Sequence, residues 1–106
     1  MTNPFAGEVT LILDGRPHVA KLTLGALAEL ETVLNEDSLI GLVTRFDQGS
    51  YRSRDVLALV VAGLRGGGWQ GTAADLRTVA ICGGMIAAAT AAAQLLARAF
   101  QMPDAT

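Results

Sequence analysis

The chain has 106 residues and a formal net charge of −2, so it is nearly neutral for its size. Because 51% of its residues are hydrophobic and only 5% aromatic, with Ala and Leu prominent, the composition favours helices over a β-sandwich. The absence of a basic cluster argues against nucleic-acid binding. The length predicts one domain over residues 1–106. Its expected parts are a β-hairpin at 8–22, a helical body at 23–100 and a frayed tail at 101–106.

Residues 8–22 alternate between apolar and polar side chains on both sides of Asp14-Gly15, which predicts a β-hairpin. Asp-Gly suits a two-residue type I′ turn, because both central residues of that turn need a positive φ. Pro17 lacks an N–H, so the second strand is expected to be an edge or to be bulged there. The predicted cross-strand pairs are Leu13 with Arg16, Leu11 with His18, Val9 with Ala20 and Glu8 with Lys21. The face expected to pack on the core carries Val9, Leu11, Leu13, Ala20 and Leu22.

Two helices are predicted directly after the hairpin. Thr23 is expected to end the second strand and to cap the first helix, which runs to about residue 35 or 36. A cap at Asp37 or Ser38 begins a shorter second helix, which Gly49 ends. The apolar residues at helical spacing are Leu24, Leu27, Leu30, Val33 and Leu34 in the first helix, and Leu39, Leu42, Val43 and Phe46 in the second.

The rest of the chain is also expected to be helical. Ser53 is predicted to cap a third helix, which the glycine run at 66–68 ends. The sequence TAAD at 72–75 has capping-box spacing, and Gly83-Gly84 breaks or kinks the segment before an Ala-rich helix that ends near Phe100. The predicted fold class is therefore α+β and mostly α, with an N-terminal two-stranded antiparallel β-hairpin packed on a bundle of four to five helices.

The residues that carry chemistry in proteins are sparse here. His18 is the single histidine, which argues against a metal site and leaves one candidate base for nucleophilic catalysis. Glu29 and Glu31 diverge by about 200° on a helix, so they do not form a catalytic pair. Cys82 lies in an apolar stretch and is predicted to be a small buried hydrophobe. We therefore expect no catalytic, cofactor-binding or metal-binding residue, and no enzyme.

Residues 79–97 carry no charge and approach the length of a membrane span. Gly83, Gly84, Thr90 and Gln94 interrupt this run, and Ala contributes little to insertion, so a buried helix is favoured. The lone cysteine and an N-terminus without a basic or strongly apolar region predict a cytoplasmic protein rather than a secreted one.

Two apolar features have two interpretations each. Gly83, Ala87 and Ala91 place a small residue at every fourth position, which permits either tight packing inside the domain or docking of another subunit. Trp69 follows the glycine run, so it is either exposed to a partner or folded back as a lid on the core.

Four segments of the chain, in the same order, resemble the small tail-gene family of gene transfer agents. These agents are phage-like particles of alphaproteobacteria, and related prophages carry similar genes. The resemblance is most specific where LTLGALAELE precedes an LRGGG run, and the chain departs from the family pattern in a more apolar stretch at 78–90. The four segments are GEVTLILDG at 7–15, LTLGALAELE at 22–31, SRDVLALVVAGLRGGG at 53–68 and LLARAF at 95–100.

The resemblance implies a role in building a siphophage-like tail. Members of the family are described as tail tube proteins, and their gene neighbourhood suggests tail assembly chaperones, which hold tube subunits or the tape measure before polymerisation. Tubes of this kind are built from β-sandwich or barrel subunits, for which one hairpin provides too little strand. The expected function is a non-catalytic tail assembly chaperone or adaptor. The alternatives are a minor tail or tube component retained in the particle and a small membrane protein.

The expected partners are phage-like tail proteins, either the tube or the tape-measure protein, with self-association left open and with neither nucleic acid nor membrane. The hypothesis for binding is strand addition at the open edge of the hairpin, while apolar helical surface covers the client. The chain would act in the cytoplasm or be assembled in a particle. The candidate partner contacts are Ile12, Val19, Trp69, Phe100 and Met102.

Overall fold

The computed structural model describes residues 7–34, 39–78 and 81–99. Within these ranges the chain forms an N-terminal hairpin followed by five helices, which confirms the mostly α, α+β fold. The predicted caps at Asp37 or Ser38 and the predicted tail at 101–106 lie outside the described residues. The elements are β1 (Val9–Leu13), β2 (Arg16–Ala20), α1 (Leu24–Leu34), α2 (Leu39–Asp47), α3 (Ser53–Gly66), α4 (Ala73–Thr78) and α5 (Gly84–Ala99).

The hairpin has the predicted turn and register. Asp14 and Gly15 have φ values of 50° and 79°, as a type I′ turn requires. Pro17 lies opposite Ile12 in an unbroken antiparallel register, so the strand is not bulged there. Pro17 and Ile12 form a non-hydrogen-bonded pair, in which backbone N–H groups point away from the partner strand. Proline fits there because no N–H is needed for the ladder. The predicted inner-face residues are all buried: Val9, Leu11, Leu13, Ala20 and Leu22.

The turn glycine offers a test of the hairpin that involves no packing change. A Cβ added at Gly15 would meet no atom within 4 Å, so Gly15→Ala changes only the backbone preference at a φ of 79°. An L side chain in the left-handed region costs about 1 kcal/mol. We expect urea unfolding to show a loss of about this size with an unchanged denaturant slope. A variant as stable as the parent would contradict the assigned turn.

Two of the predicted helix caps are confirmed. The Ala26 N–H donates to Thr23 Oγ1 at 3.1 Å, so one residue ends the strand and caps α1. At the start of α4 the Asp75 N–H donates to Thr72 Oγ1 at 3.3 Å, and the Thr72 N–H donates to the Asp75 carboxylate at 2.9 Å. This reciprocal pair is the predicted capping box.

The cap of α3 lies one residue earlier than predicted. Ser53 is the first helical residue, and Arg52 occupies the N-cap position with φ −108° and ψ 160°. The Asp55 carboxylate accepts the Arg52 N–H at 2.8 Å, which fixes the start of the helix there. The start of α3 is therefore set by the Asp55 carboxylate, at the third position of the helix, and not by the hydroxyl of Ser53.

Helix α3 lies at the centre of the fold. It contacts α1, α4, α5 and β2, while β1 and α2 pack on α5. A helix that is apolar on most of its surface is expected to be surrounded in this way. At the far end of α5, Arg98 donates to the carbonyl oxygen of Glu8 and so ties this helix to the start of the hairpin. The buried residues of α3 are Asp55, Val56, Leu59, Val60, Val61, Ala62, Gly63 and Leu64.

The predicted apolar stripe of α1 is wrong at two of its five positions, Leu24 and Val33. Leu24 is 84% exposed and Val33 is 63% exposed, whereas Ala26, Leu30 and Leu34 are buried. Leu24 precedes Ala26 by two positions, about 200° around the helix, so it points away from α3. The face of α1 that meets the core is therefore set by the position of α3 as well as by helical spacing.

The glycine run that ends α3 also brings the helix against β2. A Cβ added at Gly66 would lie 2.0 Å from the Lys21 carbonyl oxygen, and one at Gly67 would lie 2.0 Å from the Val19 carbonyl oxygen. The Lys21 N–H donates to the Gly63 carbonyl oxygen at 2.8 Å. These glycines are therefore needed where helix and strand backbones touch.

Gly83-Gly84 separates α5 from the preceding helix. Of the two predicted outcomes, a break or a kink in the helical segment, the structure shows the break. Both glycines have positive φ values, 87° and 64°, and α5 begins at Gly84. Cys82 is exposed, so its predicted burial is wrong. Its N–H donates to the Ile12 carbonyl oxygen at 3.0 Å, so Cys82 is held to β1 by its backbone and not by burial of its side chain.

Across the described ranges, no helix combines the length and the apolar character that crossing a bilayer requires. The uncharged run at 79–97 is not one helix, because α5 begins at Gly84. Of the predicted small-residue stripe, Ala91 is buried, Ala87 is half-buried and Gly83 is exposed, so packing inside the domain is favoured at Ala87 and Ala91.

Candidate protein-interaction surfaces

The outer face of the hairpin carries two of the predicted partner contacts. Ile12 and Val19 are both half-buried, and the register places them diagonally across the two strands beside the exposed Pro17. Their face is opposite to the one that packs on the helices, because side chains alternate along a strand. The structure thus brings these aliphatic side chains together on the outside of the sheet.

The edges of the hairpin are not open as the strand-addition hypothesis requires. On the β1 side, Cys82 donates to the Ile12 carbonyl oxygen, and Leu13 forms an antiparallel bridge with Ile81. On the β2 side, the end of α3 accepts the Lys21 N–H and covers the adjacent backbone. The expectation of an open edge is therefore wrong at these positions, and a client strand would have to displace segments of the chain itself.

Trp69 folds back onto the body, which was one of its two predicted interpretations. It is half-buried and packs against the core. A Cβ added at Gly71 would lie 2.2 Å from Trp69 Cζ2, so Gly71 makes room for the indole. The same indole borders a surface depression near the hairpin turn, together with Leu13, Asp14, Arg16 and His18. The other two predicted contacts, Phe100 and Met102, lie outside the described residues.

The largest apolar exposure on α5 was missed by the sequence analysis. Ile86 is 82% exposed and Met85 is 51% exposed. The buried residues of this helix recur at Ala88, Ala91–Ala92 and Leu95–Leu96, so Ile86 faces away from the core. Spacing within α5 was the available signal, but the abundance of Ala concealed which face would be buried.

A groove runs between this exposed part of α5 and the end of α2. One wall is an aromatic pair, in which the rings of Phe46 and Tyr51 stack with centroids 4.6 Å apart and planes 8° apart. No charged side chain is among the groove residues. The residues that line it are Phe46, Tyr51, Ile86, Ala89, Thr90 and Ala93.

An ion pair between a half-buried arginine and a buried aspartate lies next to the aromatic wall. Arg45 Nη2 lies 3.1 Å from Asp55 Oδ1, and Arg45 Nε donates to Asp55 Oδ2 at 3.3 Å. The Asp55 side chain is 1% exposed and the Arg45 side chain 27%. Arg45 lies in α2 next to Phe46, and Asp55 lies in α3. The ion pair therefore connects the two ends of the loop that carries Tyr51. Sequence reasoning did not identify this pair.

A second apolar groove lies between α1 and α3. Val33 borders it, and an ion pair between Arg65 and Glu29, with Nη1 and Oε1 2.9 Å apart, lies on its rim. Glu29 of α1 is therefore paired with a residue of α3 across the groove. Over the described ranges, no group of three or more His, Cys, Asp or Glu side chains is placed to hold a metal ion.

Comparison with known families supplies the identification. The family model described as "Phage tail tube protein, GTA-gp10" matches residues 6–102. The chain belongs to this family. The match confirms the resemblance to the tail genes of gene transfer agents and makes the chain a phage tail family protein. No curated protein and no solved structure matched the chain significantly.

As a member of the GTA-gp10 family, the chain combines a tail-protein assignment with a helical architecture. Apolar side chains reach its surface at Ile12 and Val19 on the outer hairpin face, at Trp69, and at Met85 and Ile86 near the start of α5. Apolar surface of this kind is typical of protein–protein contact sites.

Proposed function

We propose that this GTA-gp10 family member is a non-catalytic tail assembly chaperone or adaptor, which binds the tail tube or tape-measure protein before polymerisation. One observation carries the proposal: in the described part of the chain, strand structure amounts to two strands of five residues each. A subunit of a tube wall needs a sheet large enough to continue around a ring. A hairpin of this size, partly covered at both edges, is poorly suited to that role.

The proposed binding mode uses side chains and does not require strand addition. Ile12 and Val19 on the outer hairpin face would contact the client. The partly covered Trp69, which borders Leu13 and His18 on the other face near the turn, would supply an aromatic anchor to a client that extends around the end of the hairpin. Phe100 and Met102 remain candidate contacts in the segment after α5. A client held in this way would keep its own assembly surface covered until the tail polymerises, so the chain would act in the cytoplasm.

The proposal is tested by affinity capture from a host that carries the tail gene cluster. The tagged chain should recover the tube or the tape-measure protein. The double variant Ile12→Thr with Val19→Thr keeps two β-branched residues but removes apolar contact, and we expect roughly tenfold weaker capture. Leu24→Gln is the matched control, because it removes an apolar side chain that is 84% exposed on α1. Recovery of neither protein, or equal losses in both variants, would count against this binding mode.

The second candidate is a minor tail or tube component that stays in the particle. The family description itself, which names a tail tube protein, favours this alternative. The two candidates differ in where the chain ends up, since a chaperone leaves the assembly and a component remains in it.

A further inference from the structure

Four exposed residues form a line along the solvent side of α5. Ile86, Thr90, Ala93 and Ala97, here called the α5 seam, are all exposed. Their spacing is four, three and four residues, which is the spacing of the a and d positions in a coiled coil. The opposite side of the same helix, at Ala88, Ala92 and Leu95, packs on the core. Helix α5 therefore has a second face with the pattern of a helix–helix contact.

The charge pattern agrees with a covered face. From Gly84 to Ala97 the helix carries no charged residue, although surface helices normally place charged side chains on their solvent side. Ile86 in the seam and Met85 beside it are large apolar side chains that are more than half exposed. A partner that covers this face cannot pair its own charges with it, so the partner surface should also be uncharged. The α5 helix of a second copy meets this condition.

We propose that two copies of the chain associate by pairing their α5 helices in antiparallel orientation about a two-fold axis. The seam is symmetric about a point between Thr90 and Ala93. Antiparallel pairing therefore places Ile86 opposite the Ala97 of the second copy, and Thr90 opposite its Ala93. Each large side chain meets a small one, as a self-complementary two-fold interface requires.

Electrostatics and the adjacent groove favour the same arrangement. No like charges meet between Gly84 and Ala97, and antiparallel helices align their dipoles favourably. The stacked rings of Phe46 and Tyr51 stand beside Ile86 and Thr90, so they extend the contact on one side. The seam spans 12 residues, from Ile86 to Ala97, and is about 18 Å long. A contact between two helices of this length involves fewer residues than most specific interfaces, so we expect the dimer to dissociate at micromolar concentration.

Sedimentation equilibrium over about 1 to 500 µM tests the proposal, because these concentrations span a micromolar dissociation constant. The parent chain should change from monomer to dimer across this range. Ala93→Glu places two carboxylates in the seam and should weaken the dimer by roughly 30-fold or more. The control Ala74→Glu makes the same change at an exposed alanine of α4 and should leave the dimer unchanged. Far-UV circular dichroism checks that both variants keep their helices.

The antiparallel register is tested by mixing two variants. Thr90→Lys should also fail to self-associate, because it places two ammonium groups in the seam. A mixture of Thr90→Lys and Ala93→Glu chains should form a heterodimer, since each new charge then faces the opposite one. A parent chain that stays monomeric at the highest concentration, or an Ala93→Glu chain that dimerises like the parent, would overturn the proposal. A mixture that stays monomeric would overturn the register.

The outcome is independent of the proposed function. Client capture is assigned to the hairpin face and Trp69, whereas self-association is assigned to α5. Ala93→Glu should therefore lose the dimer while it retains capture of the tail protein, and the Ile12→Thr, Val19→Thr variant should show the reverse.

Discussion

Replacing Asp55 with alanine is expected to destabilise the fold by about 3 kcal/mol, because a buried carboxylate is removed together with the charge-assisted hydrogen bonds that it accepts and the cap that it supplies to α3. The carboxylate is 1% exposed and accepts two hydrogen bonds from Arg45 and one from the Arg52 N–H. Its loss therefore affects both the junction of α2 with α3 and the start of α3. Urea unfolding followed by circular dichroism measures the effect.

Asp75→Ala is the matched control for this prediction. Asp75 occupies the same capping position in α4 but is exposed, so its loss should cost only about 1 kcal/mol. The difference between the two variants reports what the burial of Asp55 and its hydrogen bonds from Arg45 add to the cap. A double-mutant cycle with Arg45→Met should then show a coupling energy of about 1 kcal/mol or more. Equal losses for Asp55→Ala and Asp75→Ala would contradict the structural role of the pair.

Gly66→Ala and Gly67→Ala are each expected to cost about 3 kcal/mol, the upper part of the range for overpacking. The added Cβ would lie 2.0 Å from the carbonyl oxygen of Lys21 in the Gly66 variant and of Val19 in the Gly67 variant, and both oxygens belong to the backbone at the end of the hairpin, which cannot rotate away. The hairpin would have to move off the end of α3. We expect a lower melting temperature, together with faster amide exchange in β2.

Gly25→Ala provides a control with the opposite sign. Gly25 lies in the first turn of α1, where the nearest atom to an added Cβ is Thr23 Oγ1 at 3.9 Å. Alanine there should stabilise the chain by about 0.5 kcal/mol, because it restricts the unfolded backbone and favours the helix. Stabilisation by Gly66→Ala or Gly67→Ala would show that helix propensity dominates at the end of α3, against the close contact described above.

The features predicted correctly from the sequence are set by local interactions. The Asp14-Gly15 turn fixes the hairpin register, and Thr23 and Thr72 cap the helices that follow them. Gly83-Gly84 ends one segment and begins the next. Each of these signals acts within a few residues, so the sequence is sufficient to identify it.

The features that were missed depend on contacts between distant residues. The partner of Asp55 is ten residues away, and the glycines at the end of α3 meet a strand more than forty residues earlier. The exposure of Leu24 and Cys82 follows from where α3 and β1 lie. Composition could not distinguish the covered face of α5 from the seam, because Ala occurs on both.

The candidate contacts were only partly predictable for the same reason. Alternation along the strands correctly placed Ile12 and Val19 on the outer hairpin face. It gave no sign that Cys82 and the end of α3 would cover the edges, nor that the large apolar side chain of Ile86 would be 82% exposed. Edges and exposed faces are properties of the packed chain.

Quantitative mass spectrometry of purified particles, compared with the lysate that produced them, tests the chaperone assignment most directly. We predict that the chain is present in the lysate and missing from the particles, in which the tube protein is abundant. Recovery of the chain in particles at a fixed ratio to the tube protein would contradict the account and identify it as a retained tail component.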